Sequence, residues 1–422
     1  MKVLIVGSGG REHAIAQNIS KNPNVEKIFC APGNAGIASL ASCVSISAMD
    51  FEALADFAEK EKIDFTIIGM DDPLVGGIVD FFEERGLKVF GPRKNAAILE
   101  GSKSFSKDLM KKYNIPTAGY ETFHDPAIAI DYLRTARMPI VLKADGLALG
   151  KGVLICNTFK EAEAGVKEIM EERKFGEAGS TMVVEEFMTG REVSVLSFVD
   201  GHTIRIMSSA QDHKRAQDGD QGLNTGGMGT FSPSPFYTPE VDEFCRTYIY
   251  QQTVDAMASE GRPFIGIIFF GLMLTEDGPK VLEYNARFGD PEAQVVLPRM
   301  KTDLLDVMIA CTDGSLDTVD LEFEQNAAVC VVLASDGYPV SYQKGFEISG
   351  LDKFDHEEGY HCFHAGTAFD QEHRIVTNGG RVLGVTAKGK DLRSARENAY
   401  KATAWVDFAN KYMRTDIGKA IE

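Results

Sequence analysis

The chain has 422 residues, more than one ordinary hydrophobic core accommodates, so roughly two to four domains are expected. Hydrophobic residues make up 44% and charged residues 25%, the balance of a soluble globular protein, while a net charge of −18 argues against nucleic acid or membrane as a partner. A small anionic ligand remains compatible, because a pocket needs only a few converging cations and backbone N–H groups.

The opening "MKVLIVGSGGREH" is too briefly apolar for a signal peptide and predicts a first strand. Residues 1–100 then alternate β runs ("KVLIV", "KIFCAPG", "DFTIIGM", "KVFGP") with amphipathic helices, the pattern of a parallel sheet covered on both faces. From about residue 102 the pattern changes. "SKSFSKDLMKKYNIP" sets Phe105, Leu109 and Tyr113 on one helical face, and Pro116 ends it. Strand-like runs follow in "PIVLKA", "GVLICN", "TMVVEEF" and "REVSVLSFVDGHTIRIMSSA", with Asp200-Gly201 as a hairpin turn. Residues 211–235 are polar and glycine-rich with few core candidates, so they are expected to form a long loop. A helix around 239–260 leads to "FIGIIFFGLMLTEDG" and "KVLEYNARFGD", an antiparallel pair. The first of these holds the longest strongly apolar run, well short of a membrane span. After residue 322 a smaller α+β unit is expected. The seven cysteines are scattered and form no C-x-x-C pair, which argues against disulfides and zinc and fits a reducing cytoplasm.

Four stretches carry chemistry. "VGSGGREH" follows the first strand and opens the first helix, where glycines let an anion approach a helix N-terminus. The dinucleotide fingerprint needs glycine where Glu12 stands, and the second strand ends in Ala31-Pro32-Gly33 without the ribose-binding acid. A single phosphate therefore fits better than NAD, and a ligand-free tight turn is the alternative. In "PIVLKADGLALGKGV", Lys143 interrupts an apolar strand, and its burial suggests a ligand phosphate as partner. The glycines at 146, 150 and 152 with Lys151 fail as a Walker loop, since Asp145 stands where its first glycine belongs. They suit a flap between two strands whose amides cover a triphosphate; a solvated β-turn fits equally well.

"TMVVEEFMTGREVSV" puts Glu185, Glu186 and Glu192 in or beside apolar strand. Either this is an edge strand with solvated glutamates, or a hinge contacting adenine and ribose. In "KVLEYNARFGDPEAQ", strand alternation projects Glu283, Asn285 and Arg287 from the face of Val281. A carboxylate and an amide oxygen two residues apart form a hard-oxygen pair suited to Mg²⁺. Arg287 and Asp290 could orient a substrate. His213, within "QDHKR", has only its neighbours to recommend it.

The ordered set "GSGGREHA", "APGNAG", "GSKSFSKDLM", "KADGLALGKGV", "VVEEFMTGREVS", "QDHKR", "NTGGMGTFSP", "EYNARFGDPE" and "NGGRVLGVTA" resembles the ATP-grasp carboxylate–amine ligases, and among them the branch that joins glycine to 5-phosphoribosylamine. The resemblance spans essentially the whole chain. It implies a multidomain α/β and α+β protein: a biotin-carboxylase-like parallel α/β domain (1–101), an ATP-grasp domain (102–322) with a β-rich lid at about 120–190, and a C-terminal α+β domain (323–422). It implies that ATP phosphorylates glycine and that the amine of 5-phosphoribosylamine attacks the glycyl phosphate, giving glycinamide ribonucleotide, ADP and phosphate in purine biosynthesis.

By the same resemblance, ATP is contacted by Lys103, Lys143, the flap residues Gly146, Gly150, Lys151 and Gly152, the hinge Glu185, Glu186 and Phe187, and Glu192. Glu283 and Asn285 hold Mg²⁺ or Mn²⁺. The ribosyl phosphate lies near Gly9, Gly10 and Arg11. Glycine lies among Asp212, Lys214, Arg287 and Asp290, beside Gly226 and Gly227, and Arg287, Asp290 and Lys214 serve catalysis. A cytoplasmic monomer is implied. The strand "IGIIFFGLML" lacks the further metal-binding acid of many ATP-grasp enzymes, so the ion should lean on water and phosphate. A ligase for another acid or amine is the nearest alternative; a dehydrogenase rests on the N-terminal glycines alone.

Overall fold

The computed structural model describes residues 1–148 and 152–419. Gly150 and Lys151 lie outside them. The first hundred residues form a five-stranded parallel sheet ordered Ser42–Cys43, Lys27–Pro32, Lys2–Gly7, Phe65–Ile68, Val89–Phe90. Its strands are apolar on both faces because both are covered. Val3, Ile5, Cys30 and Ile67 pack against helix Gly10–Ile19 and Leu304, Leu305 and Met308, whereas Leu4, Val6, Phe29 and Ile68 meet Leu54, Ala58, Ile78 and Phe82. The first of these cores continues into Leu196, Phe198 and Phe269, so this sheet shares its interior with the centre of the molecule.

Two antiparallel sheets follow. The lid sheet runs Tyr120–Phe123, Met182–Glu186, Ile140–Ala144, Val153–Cys156, and the central sheet runs Ile204–Ile206, Arg191–Asp200, Ile265–Thr275, Gly278–Asn285. Met182–Glu186 is paired on both sides, so the glutamates at 185 and 186 are not on an edge strand. A last sheet joins Gln211–Asp212, Gly229–Ser232, Ala327–Ser335, Arg381–Gly389 and Tyr360–His364, covered by helix Leu392–Thr403. Among the described residues no helix is long and apolar enough to cross a membrane.

The long loop expected at 211–235 is instead largely short strands, Gln211–Asp212, Arg215–Gln217, Gln221–Asn224 and Gly229–Ser232. Met228, Thr230, Phe231 and Ser232 are fully buried. Hydroxyls hid this from the sequence: Thr230 donates to the Gln211 carbonyl and Ser232 to that of Ser209, so both polar residues enter the core satisfied.

Two buried histidines, His13 and His364, with half-buried His361 beside them, line the contact between the first helix and the C-terminal sheet. His13 Nδ1 accepts from the His364 backbone N–H at 2.8 Å, and the His13 ring lies against Phe363. Burial, reinforced by His364 and His361, pushes His13 down to about 3 from an ordinary 6.5; burial brings both His361 and His364 to about 4. All three are neutral when folded and take up protons on unfolding below their ordinary value. Their contribution is therefore full above about pH 6.5 and is lost as the pH falls toward 4. The thermal midpoint is expected to be level from pH 8 to 7 and to drop between pH 6.5 and 5. A flat midpoint across that range would contradict the assignment.

Candidate active site

The flap follows strand Ile140–Ala144 and is tied at its first residues to the start of a helix. Ser102 caps helix Lys103–Lys112 by accepting from Phe105 N–H, and Asp145 ties the flap to that cap. Asp145 Oδ1 accepts from Ser104 N–H at 3.0 Å, and its Oδ2 from the Ser104 and Ser102 hydroxyls. The residue that broke the Walker pattern is thus the anchor of the loop. Gly146 stands at φ +118, a conformation open to glycine, and its carbonyl accepts from Lys103 Nζ at 2.7 Å. Gly152 closes the base, its carbonyl accepting from Ala144 N–H.

Lys143 is buried at the end of its strand, but its anionic partner belongs to the protein. Its Nζ lies 3.0 Å from Glu185 Oε1 and donates to the Leu282 carbonyl. Burial alone therefore does not require a ligand phosphate. The other oxygen of Glu185 is 3.3 Å from Lys107 Nζ, which also donates to Thr117 Oγ1 and the Ala118 carbonyl. Burial brings Lys107 down to about 8, against the pull of Glu185. Two lysines thus share one carboxylate and leave a buried excess of positive charge. Beside them Ala118, Met188, Met273 and Leu282 pack into a small apolar cluster. Glu186 is exposed on the lid strand, its carboxylate 3.4 Å from Gly119 N, and half-buried Phe187 follows it.

Glu283 and Asn285 share a face of strand Gly278–Asn285, but not with Val281. A bulge intervenes: Gly271 pairs with Glu283 and Leu272 with Val281, leaving Leu282 extra. Val281, Tyr284 and Ala286 enter the core, while Glu283 and Asn285 face the lid side. Lys214, Lys143 and Lys103 hold the Glu283 carboxyl down at about 2, Lys214 most strongly, at 3.2 Å and against burial. Asn285 Nδ2 donates to Glu100 Oε1 at 2.9 Å, so its amide is oriented with the oxygen left over. Among the described residues no three His, Cys, Asp or Glu side chains form a metal cluster.

A second group lies across the cleft. Lys214 Nζ bridges Glu192 and Glu283, both at 3.2 Å. Asp212 is enclosed, and its Oδ1 has no hydrogen-bond partner. Burial and the nearby Glu292 hold its carboxyl well above the usual range. A Cβ on Gly227, at φ +119, would stand 2.7 Å from Asp212 Oδ1, so glycine is required there. Gly226 is held by Tyr338, whose hydroxyl accepts its N–H, and by Arg381, which donates to its carbonyl. Arg287 has an ion pair with Glu100 at 3.4 Å, yet its buried Nε lacks a partner. Asp290 accepts from Gln294 and from Arg11 N–H and pairs with Arg381. Burial works against its charge, but Arg381 and Arg11 keep its carboxyl below the usual range.

The glycine turn at the first helix is filled by the protein itself. Glu12 Oε2 accepts from Gly9 N–H at 2.6 Å, and its Oε1 pairs with Arg11 Nε at 2.7 Å. Arg11 also donates to the Phe288 carbonyl, while Gly10 packs against Gln294. Gly9 and Arg11 thus already have carboxylate partners, and a side chain on Gly7 or Gly69 would strike Glu12. Glu12→Gln removes the charge from a pair that is almost fully buried. It is expected to cost about 3 kcal/mol in denaturant unfolding, and a loss within error of zero would contradict the pairing.

Sequence reasoning missed Glu100, Lys107, Tyr338 and Arg381, together with the apolar cluster around Met188. Glu100 and Lys107 did carry a signal, as charges among the buried positions of helices flanking "GSK".

Three family models match in order: the phosphoribosylglycinamide synthetase N domain over residues 1–100, its ATP-grasp (A) domain over 101–293 and its C domain over 328–420. A phosphoribosylamine–glycine ligase of Caldanaerobacter subterraneus subsp. tengcongensis is 48% identical over 417 residues, covering 99% of each chain. The crystal structure of a phosphoribosylamine–glycine ligase from Thermotoga maritima has TM-score 0.86 at 34% identity, covering 99% of this chain and 100% of that one. Biotin carboxylase from Campylobacter jejuni has TM-score 0.75 at 14% identity, over 98% of this chain and 92% of that one, a likeness of fold.

Proposed function

The chain belongs to the phosphoribosylglycinamide synthetase family and makes glycinamide ribonucleotide from glycine, 5-phosphoribosylamine and ATP in purine biosynthesis; on that premise we propose how its residues divide the work. Adenine lies against the apolar cluster of Ala118, Met188, Met273 and Leu282, with its edge along Glu185, Glu186 and Phe187 and the ribose toward Glu192. Lys103 and Lys143 face the phosphates under the flap that begins at Gly146 and ends at Gly152. The convergence of Lys214, Lys143 and Lys103 on Glu283 is the observation that carries this reading.

Mg²⁺, or Mn²⁺ in its place, fits Glu283 and Asn285: one is held ionised by three lysines, and the other has its nitrogen committed and its oxygen left. Such an ion, when bound, neutralises charge on the transferring phosphoryl group.

Two unpartnered atoms support the glycine subsite. Asp212 Oδ1 suits the ammonium, and Arg287 Nε suits the carboxylate. A carboxylate oxygen of glycine attacks the γ-phosphorus and ADP leaves. Lys214 faces the charge of the glycyl phosphate. The ribosylamine nitrogen then attacks the carbonyl carbon, the C–O bond to phosphate breaks, and the nitrogen gives up a proton. Asp290, kept ionised by Arg381 and Arg11, orients that amine. The ribosyl phosphate lies beside Gly9, Gly10 and Arg11 rather than on amides that Glu12 and Asp290 already occupy. Flap closure excludes water from the acyl phosphate.

Seven free cysteines, five of them buried, support a cytoplasmic setting. The test is ADP release with ATP, Mg²⁺ and glycine, with and without freshly generated 5-phosphoribosylamine. Release should require both co-substrates, with glycinamide ribonucleotide detected by mass spectrometry. A folded, ATP-binding protein that shows no turnover would contradict the reading.

A further inference from the structure

The hairpin that follows Asp212 and Lys214 has almost no core of its own. Its strands, Arg215–Gln217 and Gln221–Asn224, pair only with each other, and Ala216 is their one buried residue. A two-stranded hairpin of this size is marginal in water. Its position must therefore come from outside, and the contacts lead to the end of the chain.

Residues 412–418 lie along the hairpin and grip it through polar groups. Tyr412, whose strand is paired to Ala327–Ser335, donates its hydroxyl to the Ala216 carbonyl at 2.7 Å. Arg414 is 1% exposed. It makes a two-pronged contact with Asp416 at 2.8 and 2.9 Å, donates to the Arg215 carbonyl at 3.0 Å and pairs with Asp220 at 3.0 Å. Thr415 donates its N–H to Asp218 at 2.8 Å and its hydroxyl to the same carboxylate. Asp416 Oδ2 accepts from Gly219 N–H.

His213 completes the set. Its Nδ1 meets the Gly229 carbonyl at 3.0 Å and its Nε2 accepts from Gly418 N–H at 3.2 Å, so the residue between Asp212 and Lys214 is tied directly to the tail. At the hairpin's base, Thr225 donates to the Lys214 carbonyl through both its N–H and its hydroxyl.

We propose that residues 412–418 are a clasp on the hairpin, and that Arg414 is a positioning residue for the glycine subsite formed by Asp212 and Lys214. This rests on the assignment of glycine to those residues. A displacement of the hairpin moves Lys214, and Asp212 beside it, relative to Arg287, which stands in the bend just after the central strand Gly278–Asn285. The residues assigned to adenine and the phosphates, Glu185, Glu186, Lys143 and Lys103, lie on the lid sheet and on helix Lys103–Lys112, apart from the hairpin, which meets the nucleotide side through the Lys214 contacts to Glu192 and Glu283.

The test is steady-state kinetics of Arg414→Met, Arg414→Lys and Asp220→Asn. Arg414→Met should raise the KM for glycine about tenfold while the KM for ATP stays within about twofold. Arg414→Lys should recover part of the loss. Asp220 is exposed at a positive φ that asparagine tolerates, so Asp220→Asn should fold and raise the glycine KM by a smaller factor. A folded Arg414→Met with an unchanged glycine KM, or with both KM values rising together, would overturn the clasp. Should Arg414→Met fail to fold, an unchanged glycine KM in Asp220→Asn does the same. Asp212→Asn separates the two ideas: if it leaves the glycine KM unchanged, it is the glycine assignment that fails.

Discussion

Glu283→Ala is expected to lower kcat by roughly a thousandfold and to raise the Mg²⁺ concentration needed for half-maximal rate, in a protein that still folds. The side chain sits opposite Gly271, and a Cβ on that glycine would crowd it at 2.9 Å, so the paired strand leaves it room on the cleft face. Its loss removes one of the two proposed hard-oxygen donors and the centre of the lysine cluster. Lys214 keeps Glu192 as a partner, so the variant does not strand a buried charge. A titration of activity against Mg²⁺ at fixed ATP checks this. An unchanged magnesium dependence in the folded variant would remove Glu283 from the metal site.

Lys143→Met is expected to reduce kcat/KM for ATP by about a hundredfold, and Lys60→Met, at an exposed position, by less than about twofold. The loss has two sources. The proposed phosphate contact disappears, and Glu185 keeps only Lys107, so the lid strand beside the proposed adenine position shifts. Initial rates against ATP concentration separate the two variants, with circular dichroism to confirm folding. Equal, small effects would argue that Lys143 serves the lid's structure alone.

Much of this site is legible because it is local. The strand–loop–strand of the flap, the 275–278 turn and the shared face of Glu283 and Asn285 follow from periods of two and from turn chemistry. Val281 escapes that logic because a bulge is decided by pairing with Gly271 and Leu272, not by its own strand. Lys143 was legible as a buried cation, but its partner Glu185 lies 42 residues on and is met only through the pairing of the two strands. The same distance problem hides Glu100 from Asn285, which is 185 residues away. Glu12 shows a different limit. A carboxylate in place of a glycine pointed away from a dinucleotide site, but that it would occupy the anion's position required the closed turn.

The central claim is that glycine's own carboxylate receives the phosphoryl group. Turnover with glycine labelled with ¹⁸O in both carboxylate oxygens, followed by mass analysis of the released phosphate, tests it most directly. The chemistry breaks the C–O bond of the acyl phosphate, so each turnover should deliver one ¹⁸O to inorganic phosphate and leave one in glycinamide ribonucleotide. Unlabelled phosphate, with the expelled ¹⁸O released as water instead, would contradict the mechanism.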